Sequence, residues 1–309
     1  LLLTLAAVVG TLSPSGNEVG PFLSIEQAIL PQTTTNEHRT SVFAWYNLVG
    51  SVATATGALT AGWFASSVQA IGRTPLESYR LIMLLYALLG VVLLAMFMRL
   101  SNAAEAQKTE TLSKRFGLHR SRSTVFRLAA LFAVDSFAGG LVLQSVLVYW
   151  FRVRFQVDDA LLGSIFFGAN LLAGLSALAA GRIAARFGLI NTMVWTHIPS
   201  NVLLMLVPVM PTLPLAILVL LVRFSISQMD VPTRQSYIMA VVDPDERSAA
   251  AGVTTIVRIA ASALAPSLTG RLFQASLLSA PFFIAGALKI GYDLALYRSF
   301  RAVKPPEEN

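Results

Sequence analysis

Apolar stretches close to twenty residues long recur from one end of the chain to the other, separated by short turns that hold proline, glycine or charge. Each is near the length a helix needs to cross roughly 30 Å of hydrocarbon. In that medium every backbone N–H and C=O needs an internal partner, so continuous apolar runs predict helices. A partial span is expected at 1–12, followed by fuller spans near 15–31, 40–66, 79–100, 124–150, 160–184, 189–209, 213–241, 248–272 and 280–299. The alternating pattern of a membrane barrel strand is not seen. The expected fold class is an all-α membrane protein.

One connection is unlike the rest. From Ser101 to Ser123 the chain is polar and mixed in charge, with Lys108, Lys114, Arg115, Arg120 and Arg122. It reads as a linker over 101–123 between two helical bundles, 1–100 and 124–300, with a short tail at 301–309. The chain opens Leu1-Leu2-Leu3-Thr4, and only about a dozen apolar residues precede Ser13-Pro14-Ser15-Gly16. That run is too short to span and lacks the basic start of a signal peptide. It is expected to be the tail of a helix that begins upstream.

Composition agrees with the pattern. The chain is 55% hydrophobic and 13% charged, with a mean hydropathy of +0.66, whereas about a quarter of a soluble protein is charged. A net charge of +7 raises the question of nucleic acid, but the basic residues are not gathered into one face with aromatics. They follow topology instead. With the linker on the cytoplasmic side, Arg39, the linker cluster with Arg99 and Arg127, Arg182, Arg186, Arg247, Arg298, Arg301 and Lys304 all fall inside. Only Arg73, Arg80, Arg152, Arg154 and Arg271 fall outside, and the opposite orientation would violate the positive-inside rule. The linker and C-terminus are therefore expected in the cytoplasm and the spans in the cell membrane. The absence of cysteine excludes disulfides and thiolate metal sites.

A repeat crosses the linker. Asn36-Glu37-His38-Arg39 opens a span carrying Gly50, Gly57 and Gly62, and Asp243-Pro244-Asp245-Glu246-Arg247 opens one carrying Gly252, Pro266 and Gly270. Arg39 to Gly62 and Arg247 to Gly270 have the same separation. Duplicated halves are common in transporters, although small residues also recur wherever helices pack closely. Gly181-Arg182-Ile183-Ala184-Ala185-Arg186-Phe187-Gly188 adds a further sign. It resembles the short cytoplasmic turn of the major facilitator superfamily, in which Gly is followed by three residues, Asp, a basic residue, any residue and Gly. Arg186 and Gly188 fit that pattern; Ala185 stands in place of Asp, and Leu189 and Ile190 in place of the following basic residues. The resemblance covers essentially the whole chain as spans three to twelve of twelve. It implies an N-terminal six-helix bundle represented by spans three to six over 1–100, and a C-terminal bundle of spans seven to twelve over 124–300. It also implies a monomeric carrier. The drug-antiporter branch of the family usually has a Gly-Pro pair in its fifth span, which Thr56-Gly57-Ala58-Leu59-Thr60-Ala61-Gly62 lacks.

Candidate chemistry lies where charge sits deep in apolar sequence, since Arg, Lys or Asp at a helix centre costs about 2.5–3.5 kcal/mol on the mildest scale. Arg223, Ser227, Asp230 and Arg234 are spaced four, three and four and are expected on one face of a single span, with Gln228 beside them and Pro232 able to bend it. That face reads either as a cavity wall for an anionic or zwitterionic solute, with Asp230 a possible proton carrier, or as an Asp–Arg pair locking helices. In the second reading Arg234 snorkels toward the cytoplasm, where it joins Arg39, Arg186, Gly188 and Arg247 as a candidate for the gating turns. Asp135, followed by Gly139-Gly140 where its helix can flex, and Arg258 are both near mid-span and suggest an Asp135–Arg258 pair, switching or static. Lys289 and Asp293, four apart, are expected to neutralise each other on a peripheral helix. Asn17, Glu18 and Glu26 are candidates in the first bundle, the glutamates as proton carriers, while Asn47 and Asn170 face either the cavity or a neighbouring helix. His197, between Trp195 and Pro199, reads as packing.

These features predict a secondary active transporter of a small solute by alternating access, coupled to protons or driven by the solute gradient. There is no Gly-rich phosphate loop for an ATP-driven pump. The three histidines are scattered, so neither a cofactor nor a metal site is expected. The partners expected are the solute, protons and the bilayer, with no nucleic acid. The rival readings are a non-transporting sensor or scaffold on a transporter fold and a membrane-embedded enzyme. The polar groups, spread at mid-depth in both halves, do not cluster at one interface as an enzyme site would.

Overall fold

A computed structural model of the chain describes residues 39–99, 118–243 and 246–303. The expected spans at 1–12 and 15–31, most of the linker and the last residues of the tail lie outside them. The described residues form helices and turns without a strand. The helices are α1 (Arg39–Ala70), α2 (Pro75–Phe97), α3 (Arg122–Leu141), α4 (Gln144–Phe155), α5 (Asp159–Phe187) and α6 (Leu189–Leu206), then α7 (Leu213–Phe224), α8 (Asp230–Val241), α9 (Arg247–Gln274) and α10 (Ala280–Phe300). Six stretches among the described residues are long and apolar enough to cross a membrane, with α3 and α4 counted as one.

Local chemistry starts and stops these helices where the sequence asks. Thr74 and Glu77 form a reciprocal cap at the start of α2, Glu77 Oε2 accepting from Thr74 N at 2.9 Å, with Pro75 in the first turn. The Asp158 carboxylate accepts from Leu161 N at 2.7 Å and caps α5. Gly188 turns the chain between α5 and α6 at φ 85°, a backbone region that side chains disfavour. Along α2, Leu84, Leu88 and Val91 point outward; lipid is the medium in which such a helix is stable.

Two of the expected continuous spans are broken. The span expected at 124–150 divides at Val142–Leu143, two residues beyond Gly139-Gly140. Gly140 lies against α9, where a Cβ would meet Ser262 O at 2.6 Å, and Thr269 Oγ1 donates to Leu141 O at 2.9 Å. The carbonyl released by the break is thus satisfied from α9. The span expected at 213–241 divides over Ser225–Met229. Pro232 has no N–H to donate to the carbonyl four residues back, and its ring crowds that position, so the helix restarts at Asp230. Arg223 and Asp230 therefore sit on separate half-helices, not on one continuous face.

The packing has three notable joints. Between α1 and α5, a Cβ on Gly62 would meet Asp159 O at 2.5 Å, and one on Gly163 would meet Ala58 O at 2.7 Å. Only glycine lets the two backbones come this close. At one end of that seam Asp159 accepts from Gln69 Nε2 at 3.1 Å and Tyr79 OH at 3.0 Å and pairs with Arg152, joining α1, α2, α4 and α5. At the opposite end Glu246, buried at the start of α9, accepts from the backbone N–H groups of His119 (2.6 Å), Arg120 (2.7 Å) and Ser121 (2.9 Å) ahead of α3. Burial pushes the Glu246 carboxyl up, but these donors outweigh it and hold it at about 2.

The interior of the bundle α3–α10 holds two apolar clusters. Trp150 packs edge-on against Phe151, Phe155 and Phe282 in one. Phe132, Met193, Tyr237, Tyr292 and Phe300 lie in the other.

Two outcomes follow from these joints. Gly163→Val should lower stability by about 1–3 kcal/mol through overpacking, whereas Gly57→Val, with nothing within 4 Å, should change it little; thermal unfolding in detergent measures both. The folded pKa of Glu246 is depressed below its ordinary 4.5, so its stabilisation is present above pH 4.5 and disappears as pH falls toward 2. Glu246→Ala should cost about 2 kcal/mol at pH 7 and remove the wild-type loss of stability across that acid window, as read from unfolding midpoints at stepped pH.

Candidate functional site

Between the two apolar clusters lies a layer of charge. In chain order, α3 passes from Phe132 to Ala138 across Asp135, and α10 passes from Leu288 to Tyr292 across Lys289. Asp230 and Arg234 occupy the same interval between Phe224 and Tyr237, Arg258 between Val253 and Ala265, and His197 between Val194 and Leu204.

Asp135 is the hub. Its Oδ1 accepts from Lys289 Nζ at 2.5 Å and its Oδ2 from Arg234 Nη1 at 3.2 Å. The same Arg234 Nη1 reaches Asp230 Oδ2 at 3.2 Å, one helical turn away on α8. The chain Lys289–Asp135–Arg234–Asp230 thus runs through α10, α3 and α8, with exposures of 9%, 5%, 4% and 6%. The Arg234 guanidinium also lies 5.6 Å from the Phe132 ring centroid, where a cation is attracted to the aromatic face. Buried charges this deep are tolerable only when paired and hydrogen-bonded.

A second buried group adjoins the first. His197 Nδ1 lies 2.8 Å from Asp293 Oδ1, and Asn201 Nδ2 donates to Asp293 Oδ2 at 3.2 Å. Tyr292 stands edge-on to His197, with ring centroids 6.2 Å apart. At the edge of the layer are two half-buried arginines. Arg258 donates from Nε to Ser136 Oγ at 3.2 Å, and Arg223 stacks over Phe224 at 5.0 Å with no acceptor for its Nε among the described residues.

The structure places the sequence candidates differently from expectation in four respects. Arg234 does not snorkel to a cytoplasmic turn; two carboxylates hold it in the core. The Asp135–Arg258 pair is not formed, because Lys289 and Arg234 occupy both carboxylate oxygens and Arg258 turns to the neighbouring Ser136. Lys289 and Asp293 do not neutralise each other: the first points to α3, the second to α6. His197 is more than packing, since it shares the Asp293 carboxylate. The spacing of four in both His197/Asn201 and Lys289/Asp293 was the available signal, for it marks two polar faces that can meet.

The remaining candidates lie outside this cluster. Asn170 bonds Gln144 Oε1 at 3.2 Å and Phe166 O at 2.8 Å, so it joins α5 to α4. Gln228 sits in the break before α8, its backbone N donating to Ser176 Oγ at 3.3 Å. Asn47 is half-buried on α1. Arg186 is exposed in the last turn of α5, 5.4 Å from the Phe187 ring centroid; Arg39 opens α1 and Arg247 opens α9. Asn17, Glu18 and Glu26 lie outside the described residues. No group of three or more His, Cys, Asp or Glu side chains among the described residues converges as a metal site would require.

Comparison with known proteins gives this arrangement a context. The family model described as Major Facilitator Superfamily matches residues 17–266. The chain is 30% identical over 334 aligned residues to the uncharacterized membrane protein YJR124C of Saccharomyces cerevisiae, covering 98% of this chain and 75% of that protein. A crystal structure of a bacterial homologue of the iron transporter ferroportin, in an outward-facing state, matches with a TM-score of 0.57 at 16% identity, over 92% of this chain and 67% of that one. At that identity the likeness is one of fold. With its apolar helices and its matched family model, the chain belongs to the Major Facilitator Superfamily of membrane transporters.

Proposed function

We propose that the chain is a secondary active transporter that moves a small solute by alternating access, with the mid-depth charge layer as the element that switches. The observation that carries this reading is the shared Arg234: one guanidinium group bridges two carboxylates on different helices, and one of them, Asp135, also holds a lysine. Such a chain has more than one low-energy pairing. Protonating Asp230 leaves Arg234 on Asp135 alone; protonating Asp135 releases Lys289 and leaves Arg234 on Asp230. Each exchange of partner shifts α3, α8 and α10 relative to one another. A difference of a few kcal/mol between two pairings suffices to change which state is populated.

The helix breaks at Val142–Leu143 and Ser225–Met229 supply hinges on the side of the layer that faces the Trp150 cluster. In this reading 1–100 and 124–300 are the two bundles, 101–123 is the cytoplasmic linker, and protons are the coupling ion. The transporter acts as a monomer in the cell membrane with its C-terminus inside, and needs lipid, solute and protons but no cofactor, metal or nucleic acid.

Two measurements bear on this. In proteoliposomes loaded with a pH-sensitive dye, a panel of small organic acids, sugars and amino acids should include a solute that evokes proton movement. Asp230→Asn should reduce that movement at least about ten-fold while leaving the protein folded, because Arg234 keeps Asp135. Normal proton-coupled flux in that variant would remove the proposed proton carrier, and solute-induced stabilisation without flux under any gradient would point to a sensor. In unfolding experiments, Asp135→Asn should cost about 3–5 kcal/mol by stranding buried cations. Pairing it with Lys289→Met should recover part of that loss, a coupling that independent residues do not show.

A further inference from the structure

Every carboxylate described in the charge layer is already committed. Asp135 serves Lys289 and Arg234, Asp230 serves Arg234, and Asp293 serves His197 and Asn201. The cations are not all matched. Arg223 and Arg258 have no carboxylate in contact among the described residues, and Arg258 donates to the Ser136 hydroxyl instead. Arg258, on α9, is held through Ser136 beside Asp135, and Arg223 lies in the last turn of α7 at the break that precedes Asp230, so both border the layer. In that break, four residues after Arg223, Ser227 Oγ is buried without a hydrogen-bond partner.

Guanidinium groups at mid-depth without an anion are costly. Among the described residues of the layer there are four cations (Lys289, Arg234, Arg223 and Arg258) to three carboxylates, and the two cations without a carboxylate contact are the two half-exposed ones. A solute bearing an ammonium group would find no carboxylate to itself here, whereas one bearing an oxyanion would find two guanidinium groups that no carboxylate contacts and the unpartnered Ser227 hydroxyl. The planar fork suits both carboxylate and phosphate oxygens. Discontinuous spans also recur as solute sites in transporters, because a broken helix presents polar groups that a continuous one would bury in its own bonding.

We propose that Arg223 and Arg258, with Ser227, receive an oxyanion group of the transported solute, a carboxylate or a phosphate. This rests on the transport reading above and adds the substrate class to it.

The test uses the purified full chain in neutral detergent, with thermal unfolding followed at fixed ionic strength in chloride. Succinate, inorganic phosphate and the uncharged analogue succinamide are titrated separately. Succinate or phosphate should raise the unfolding midpoint in a saturable way, and which of them does so distinguishes a carboxylate solute from a phosphate; succinamide should not. Arg223→Gln and Arg258→Gln should each weaken that response by about ten-fold or more. Without anion, these variants should unfold at the same temperature as the wild type or higher, since each removes a charge that no carboxylate contacts. Arg223→Lys, which keeps the charge without the fork, should retain part of the response. Absence of any anion response, or an undiminished response in both Gln variants, overturns the proposal. So does a lowered anion-free midpoint in both, which would give the guanidinium groups a structural role. Proton-coupled flux of a neutral or cationic solute with no anion response would retain the transporter and reject this substrate class. Arginine-dependent anion binding without flux would retain the site and reject the transporter.

Discussion

The Asp135 carboxylate, held between Lys289 Nζ at 2.5 Å and Arg234 Nη1 at 3.2 Å, is the interaction on which the rest of the bundle depends. It lies where two apolar clusters meet, and it fixes how α3, α8 and α10 face one another. A membrane helix gains nothing from placing charge at that depth unless a partner is waiting on the next helix. The partners here are shared instead of exclusive: Arg234 has two carboxylates and Asp135 has two cations. In the proposed mechanism, shared partners make the layer bistable in a way that a row of isolated pairs would not be.

The breaks in the spans belong to the same design. A continuous helix resists rearrangement because each backbone bond supports the next, so motion concentrates where that ladder is interrupted. Pro232 interrupts it just before Asp230, and the Gly139-Gly140 pair precedes the interruption after Asp135. In both cases the interruption is stabilised by a side chain on another helix, Ser176 for Gln228 N and Thr269 for Leu141 O. The ends of the bundle are stiffer. Asp159 ties four helices at one end and Glu246 joins the starts of α3 and α9 at the other, while Gly62 and Gly163 hold α1 against α5. Interrupted middles between tied ends suit the tilting about a central layer that is proposed for these helices.

Much of this fold was legible in the sequence because hydrocarbon leaves few choices: long apolar runs become helices. The charges singled out by depth, Asp135, Asp230, Arg223 and Arg258, do lie in or at the edge of one layer. Their partners were not legible. Spacing along a chain states which residues share a face, but not which neighbouring helix that face meets, so depth alone pairs Asp135 with Arg258 although Lys289 is the cation in contact. The same blindness joined Lys289 to Asp293, four residues along one helix, although each side chain reaches across to a different neighbour. The break before Asp230 was understated for another reason: the steric effect of Pro232 acts on the preceding turn, and hydropathy runs smoothly through it.

In the proposed cycle, water and solute reach this charge layer from each side of the membrane in turn. The chain has no native cysteine, so Ser136→Cys, beside Arg258, provides a unique thiol at the edge of the layer. Its reaction with a membrane-impermeant thiol reagent, measured in right-side-out and inside-out vesicles of the full chain, reports that access directly. Alternating access predicts modification from both faces. Modification from one face only would describe a fixed pocket, and protection from both would describe a dry structural core; either result contradicts the claim.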